Sequence, residues 1–262
     1  MQLPEERRRL ILDTVTREGK VLAAELAARL GTSEDTVRRD LRELDGAGLL
    51  RRVHGGALRR TDGELPLRQR AERDAPRKAT LGLALRALIR PTDTVLIDAG
   101  STNLALARQL EDGCAASIVT NSPQLALALQ GMRRTRVVLI GGVFSPDCGA
   151  TLGAQAVAEI GRIHADLCIV GVCALQPDRG LCASDPEEAL LKRAMLAASG
   201  RRAAAVLNER LLDAAPFAIA PLSELDHLAL EADVPADVLA RLRETGDGPD
   251  ILIADKVPHA RT

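Results

Sequence analysis

A chain of 262 residues is long enough for one large domain or for two unequal ones. Hydrophobic residues make up 46 % and charged residues 27 %, a balance that excludes disorder and fits a soluble globular protein. The formal net charge of −1 excludes a surface that coats nucleic acid throughout. Charge is nevertheless uneven: residues 1–60 hold 13 Lys/Arg against 10 Asp/Glu, a net of +3, and the remainder holds 22 against 26, a net of −4. Any contact with nucleic acid is therefore expected at the head. With no Trp, no Tyr and only Phe144 and Phe217, single strands cannot be held by aromatic stacking. The five cysteines, Cys114, Cys148, Cys168, Cys173 and Cys182, form no CxxC and have no His at a ligand spacing, so they read as buried thiols in a reducing compartment, with no metal. The opening MQLPEERRRL lacks the apolar core of a signal peptide, and no apolar run could span a bilayer. These features predict a cytoplasmic protein without membrane contact.

Along the head, residues 5–17 place Leu10, Ile11, Thr14 and Val15 on one helical face, and Gly19 ends that helix. Residues 22–30 repeat the pattern with Leu22, Leu26 and Leu30, and Gly31 marks a sharp stop. Ser33 is a good N-cap, followed by Glu34 and Asp35 in the first turn and by the stripe Val37, Leu41, Leu44. Two short helices joined by a tight turn containing Gly have helix-turn-helix spacing. The face of the third helix opposite its apolar stripe carries Asp35, Arg39 and Arg42, flanked by Thr36 and Arg38. Leu49–Val53 and Ala57–Arg60 can pair as a hairpin around His54-Gly55-Gly56, a wing that brings Arg51 and Arg52 beside a DNA backbone. Taken alone, RRDLREL also fits a solvated helix laced by salt bridges; the order of parts favours DNA.

These residues carry a family resemblance. The run ELAARLGTSEDTVRRDL and the closing RVHGGA resemble the winged helix-turn-helix head of the DeoR family of transcriptional regulators, and the likeness runs without a gap over residues 6–59. Spacing and resemblance together assign DNA reading to residues 33–42, with Ser33, Asp35, Thr36, Arg38, Arg39 and Arg42 as candidates, and Arg51, Arg52 and His54 on the wing.

Residues 1–60 thus form the expected DNA-binding domain, residues 61–69 a polar linker, and residues 70–262 an α/β domain. After a helical pattern through Leu81, Leu83, Leu85 and Leu88, strands are expected at Thr94–Ile97, Ser117–Val119, Arg136–Ile140, Leu167–Val172, Ala203–Leu207, Leu228–Leu230 and Ile251–Ile253. Helices alternate with them, one capped by Asp185 and begun by Pro186. This alternation predicts a mostly parallel sheet in an α/β/α sandwich. Three strand tips are small and polar: Asp98-Ala99-Gly100-Ser101-Thr102-Asn103, Thr120-Asn121-Ser122 and Gly141-Gly142. Ligands of open α/β sheets bind at such tips, and free N–H groups there favour an anion. A small phosphorylated molecule is the expected guest. Neither GxGxxG nor GxxxxGK[ST] occurs, so no nucleotide cofactor is expected.

IDAGSTN, IVTNS, VVLIGG, ADLCIVGV and 208-NERL-211 resemble the DeoR sensor domain over roughly residues 75–232, a domain similar in fold to ribose-5-phosphate isomerase. The resemblance implies a phosphorylated sugar as effector, with Asp98, Gly100, Ser101, Thr102 and Asn103 as phosphate cradle and Thr120, Asn121 and Gly142 beside the sugar. It also turns Glu188 and Lys192 toward the pocket, although by spacing alone they read as an ordinary i,i+4 surface pair. Arg210 stands nearest to where many members carry a lysine; it either holds a bulkier acid group or is simply exposed. The function implied is a repressor of a carbohydrate operon, acting as a dimer or tetramer on double-stranded operator DNA. The alternative from another class is an active sugar-phosphate isomerase carrying a DNA-binding head.

Overall fold

The computed structural model describes residues 4–18, 20–47, 49–53, 55–58, 65, 67–244 and 246–257. It divides into two units, Met1–Leu65 and Pro66–Thr262. In the first unit, helix α1 (Pro4–Glu18) opens with Glu5 and Glu6 in its first turn, where the helix dipole favours acids. It buries Ile11 and Val15 one turn apart. Leu10, expected on the same face, is exposed, and the Thr14 hydroxyl donates to its carbonyl. Strand β1 (Lys20–Leu22) precedes α2 (Ala23–Leu30), which stops at Gly31 in the left-handed conformation, φ 61°. Helix α3 (Glu34–Gly46) starts at Ser33, whose hydroxyl accepts from the Thr36 N–H, and buries Val37, Leu41 and Leu44. Strands β2 (Arg51–Val53) and β3 (Gly56–Leu58) form the wing.

The expected apolar stripe of Leu22, Leu26 and Leu30 does not form as drawn. Leu22 belongs to β1, is 51 % exposed, and pairs with Gly56 at the edge of an antiparallel sheet in the order β1-β3-β2. That third strand fits because Gly56 has no Cβ; one placed there would lie 2.0 Å from the Val21 carbonyl oxygen. Ile11, Val15, Val21, Leu26, Val37, Leu41, Leu44, Leu50 and Ala57 close the core of this unit. Each large side chain buried there contributes about 1.5–3 kcal/mol relative to leaving it in water.

The second unit begins with α4 (Leu67–Glu72), whose first three residues fall in the stretch expected to be linker, and α5 (Ala75–Arg86). There follow β4 (Thr94–Ile97), α6 (Ser101–Ala107), β5 (Ser117–Thr120), α7 (Pro123–Ala128), β6 (Arg136–Leu139), β7 (Val143–Ser145), β8 (Ala150–Leu152), α8 (Ala154–Ile160) and β9 (Ala165–Val170). The chain continues through β10 (Ala174–Gln176), β11 (Gly180–Ala183), α9 (Pro186–Ala197), β12 (Ser199–Val206), β13 (Phe217–Ala220), β14 (His227–Leu230), α10 (Ala236–Arg243) and β15 (Asp250–Ile253). Seven strands make one sheet, ordered β15-β14-β12-β9-β4-β5-β6, and every pairing in it is parallel. Side chains alternate across it. Leu96 faces a core shared with α8, α9 and α10, while Val95 and Ile97 face another shared with α5, α6 and α7. The observed class is therefore a helix-turn-helix unit followed by an α/β/α unit. Two small antiparallel additions, β7–β8 and β10-β11-β13, escape the sequence reading.

The strand order places the site. From β4 the chain steps outward through β5 and β6, then returns to β9 and steps the other way through β12, β14 and β15. The direction of winding therefore reverses between β4 and β9. Beyond the C-terminal ends of two such strands an open α/β sheet leaves a crevice.

Candidate functional site

On the head, the arginines separate by their partners. Arg7 reaches across to Asp40, with Nε 2.5 Å from Oδ2, and Arg8 pairs with Glu43 at 2.5 Å. The buried Asp40 hydrogen bond, working against desolvation, raises the Arg7 pKa. Both acids of RRDLREL are thus taken by α1, not by the arginines beside them. Arg38 donates to Glu34 at 2.8 Å and lies 3.9 Å from the exposed Asp35. Arg39 and Arg42 are exposed, and among the described residues neither has an ion-pair partner. Ser33 and Thr36 hydroxyls lie 2.9 Å apart, so both are engaged at the helix start. The Arg52 N–H donates to Asp45, which ties the wing to α3. A cleft of about 280 Å³ lies between α3 and the wing, lined by Arg38, Arg42, Arg52 and Gly55. Arg51 lies on β2, and His54 lies outside the described residues.

In the second unit the crevice between β4 and β9 holds a buried polar cluster. Asp98 directly follows β4. Its Oδ2 accepts from Lys192 Nζ at 2.5 Å and from the Gly171 N–H at 2.8 Å, and its Oδ1 accepts from Asn121 Nδ2 at 3.1 Å. Asn121, just beyond β5, uses its other side-chain atom to accept from the Ala99 N–H. Asn103 donates to the carbonyls of Asp98 and Ile169, stapling the ends of β4 and β9. Thr120 is fully buried and its hydroxyl accepts from the Ser122 N–H. Five of the expected effector residues, Asp98, Asn103, Thr120, Asn121 and Lys192, are thus brought together with their bonds committed to one another or to nearby backbone.

Lys192 is only 1 % exposed and is no surface residue. Its three N–H groups reach Asp98, the Gly171 carbonyl at 2.6 Å and Glu188 at 3.2 Å. Burial alone would push its pKa down, but Asp98 and Glu188 outweigh burial and hold it well above the usual lysine range. Burial would push Glu188 up; Lys192, the Cys173 thiol and Arg70 reverse this and lower it. Helix α9 places both residues, because Asp185 accepts from the Glu188 N–H and fixes the first turn.

Ser101 and Thr102 open α6 beside this cluster, half-buried, and among the described residues no hydrogen bond engages either hydroxyl. Gly100 precedes them and Gly142 is exposed beyond β6. Arg210 stands apart from the cluster: it is 9 % exposed, follows β12, and lies 3.5 Å from Asp213. Its neighbours Asn208 and Glu209 engage Asp233 and Arg77.

Four participants escaped the sequence reading. Gly171 lies so close to Ala99 that a Cβ would sit 2.4 Å from its carbonyl oxygen. Its place just after an apolar strand was the available signal. Cys173 Sγ donates to Glu188 Oε1 at 3.1 Å and Cys148 Sγ lies 3.7 Å from Oε2, and burial raises the two thiols to about 12 and about 11. These two are half-buried, polar members of the site, where buried thiols were expected. Arg70, on α4, donates to the carbonyls of Asp147 and Cys148. Among the described residues no group of three His, Cys, Asp or Glu could hold a metal ion, and no helix is long and apolar enough to cross a membrane.

Comparison with known proteins agrees with this architecture. Residues 7–62 match the family model described as the DeoR-like helix-turn-helix domain, and residues 73–232 match the DeoR C terminal sensor domain. The transcriptional repressor AccR of Agrobacterium fabrum is 32 % identical, over 75 % of this chain and 78 % of its own length. A putative aga operon transcriptional repressor of Escherichia coli O157:H7 is 27 % identical, over 92 % of this chain and 91 % of its own. The glycerol-3-phosphate regulon repressor of Escherichia coli K12 is 28 % identical, over 89 % and 93 %. A D-ribose-5-phosphate isomerase bound to phospho-erythronic acid aligns over 52 % of this chain and 53 % of its own at 13 % identity, with a TM-score of 0.36, too low to carry an argument. With both halves matched in order by the family's own domains, the chain belongs to the DeoR family of DNA-binding transcriptional regulators.

Proposed function

We propose that this regulator is a repressor of a carbohydrate operon whose grip on its operator is released by a phosphorylated sugar bound at the β4–β9 crevice. The observation that carries the reading is the crevice itself. Its buried cluster is complete without a ligand, yet the Ser101 and Thr102 hydroxyls and the first N–H groups of α6 are left to face a guest. Arg39 and Arg42 read the operator, Arg38 and Arg52 flank them, and Asp35 stands at the exposed start of the same helix. Ser33 and Thr36 serve the reading by capping α3. Asp98, Asn103, Thr120, Asn121, Glu188 and Lys192 shape the effector site, with Gly100 leaving room for backbone approach and Gly142 admitting the Leu152 carbonyl beside it. Two heads must engage a two-fold operator together, so the active form is a homo-oligomer.

An isomerase would need a carboxylate base free to take a proton from its substrate. Asp98 already accepts three hydrogen bonds and Glu188 is held charged by Lys192, so the geometry favours sensing over catalysis.

The test is fluorescence anisotropy with DNA from upstream of the gene and its neighbours, at two salt concentrations. A panel of sugar phosphates is added; one relative is named for the glycerol-3-phosphate regulon, so the panel includes glycerol 3-phosphate. Specific binding weakened by one phosphate supports the reading. Specific binding that none of them alters removes the sensor from it. Ser101→Glu puts a negative charge in the cradle and is expected to abolish the response.

A further inference from the structure

We propose that Arg70, lent to the crevice by helix α4, is the cation that receives the effector's phosphate; this rests on the crevice being the effector site. Its guanidinium is half-buried. Nη2 donates to the Asp147 carbonyl at 3.3 Å and to the Cys148 carbonyl at 3.4 Å. Nε is buried and has no acceptor, and among the described residues no carboxylate pairs with Arg70. Buried donors are nearly always satisfied, so an empty one beside a ligand crevice points to a bond that a ligand makes.

The charge in the crevice leads to the same residue. Asp98 and Glu188 face a single lysine, and every N–H of Lys192 is already committed. A phosphate ester adds further negative charge, which Lys192 cannot meet without releasing Asp98. A second cation is required. Arg210 is paired with Asp213 and touches nothing in the cluster among the described residues. Arg70 reaches it through the turn between β7 and β8: it binds the Cys148 carbonyl, and the Cys148 thiol lies against Glu188. Its charge is close enough to act on Glu188 and Cys173.

The guanidinium is also held in place. Buried Lys78 donates to the carbonyls of Arg70 and Arg73, at 2.5 and 2.6 Å, fixing the end of α4. Leu67 packs so tightly on Gly149 that a Cβ there would lie 2.3 Å from Leu67 Cδ2. The same turn is bound to the crevice by Ser122, whose hydroxyl donates to the Gly149 carbonyl. With Nη2 committed to the two carbonyls, the planar guanidinium holds its remaining donors, Nε among them, in a fixed geometry that a lysine cannot reproduce.

The experiment is thermal unfolding of the full-length protein with millimolar inorganic phosphate against chloride at matched ionic strength. Wild type, Arg70→Gln, Arg70→Lys and Ser101→Glu are compared, with circular dichroism as the check on folding. Whatever rise in Tm survives in Ser101→Glu belongs to anion sites elsewhere, the DNA face among them; the excess in wild type belongs to the crevice. Arg70→Gln is expected to fall to the Ser101→Glu value and Arg70→Lys to keep a reduced rise. A wild-type rise in Arg70→Gln, with Ser101→Glu still low, overturns the role of Arg70 and leaves the crevice standing. Equal rises, or none, in wild type and Ser101→Glu overturn both. Should Arg70→Gln not fold, Arg70→Lys decides, and an undiminished rise there overturns the proposal.

Discussion

Lys192 shows what one residue does here that its neighbours in sequence do not reveal. Glu188 and Lys192 look like a helix-surface pair, because the partner that buries them, Asp98, lies 94 positions away. Removing the lysine strands two acids in a buried crevice, and Lys192→Met is expected to cost about 3–5 kcal/mol at neutral pH. The pH dependence follows from the shifts. Glu188 is lowered, so its contribution in wild type is present above its unfolded pKa, about 4.3, and is lost as pH falls through the folded value. Lys192 is raised, so its contribution is full below about 10.4 and is lost as pH rises through its folded value. In Lys192→Met the stranded Glu188 gains stability on protonation, so the gap to wild type narrows on acidification. Urea midpoints at neutral pH and near pH 5 measure this; a gap of constant size would show that the ion pair is not what the lysine supplies. On the head, sequence alone could not tell the free arginines from the paired ones, since Arg7 and Arg8 claim their acids from 33 and 35 residues away. Arg39→Ala is expected to weaken operator binding by about 1–3 kcal/mol if the side chain reads a base; if it grips phosphate, the loss is uniform across sequences and the salt slope falls by about one. Anisotropy on operator and scrambled DNA separates the two, and an affinity unchanged on both would remove Arg39 from the interface.

Elements were legible where their causes are local. The Gly31 stop, the Ser33 cap and the Asp185-Pro186 start each depend on one or two residues and stand where the sequence put them. The seven strands of the parallel sheet also stand near their expected places, β9 two residues earlier and β12 begun at Ser199 rather than Ala203. What failed were elements that exist through a distant partner. Strand β1 is three residues long and forms because Gly56 admits the Val21 carbonyl. The β7–β8 turn is held by Ser122 and α4 and has no periodicity of its own. The wing offers a direct test, since its two glycines serve different ends. Gly55 needs its positive φ of 81° but has open space around it, so Gly55→Asn is expected to be nearly neutral. Gly56 has no space, and Gly56→Ala is expected to cost about 1–3 kcal/mol by overpacking and to release β1. Chemical unfolding gives the energies and hydrogen exchange at Val21 and Leu22 reports the strand; equal costs for the two would refute the assignment of β1.

For the whole molecule, the excess of positive charge at the head and of negative charge behind it favours DNA contact at the first unit. The alternating pattern made the parallel sheet readable, but nothing local marks Arg70, which stands just past the stretch 61–69 expected as linker, on a helix that straddles that boundary. If occupancy of the crevice releases the operator, the two sites share one coupling free energy, and linkage makes it reciprocal. The sugar phosphate that weakens operator binding by a given factor must itself bind more weakly by that factor when operator is present. Titrating it into protein alone and into protein saturated with operator, by calorimetry at one salt concentration, measures both sides of the cycle. Typical couplings of about 1–3 kcal/mol correspond to changes of roughly 5–150-fold, well within reach of the method. A phosphate that displaces DNA yet binds equally well with and without operator would be competing for the arginines of α3. In that outcome the release would be electrostatic, would fade as salt rises, and would owe nothing to the crevice.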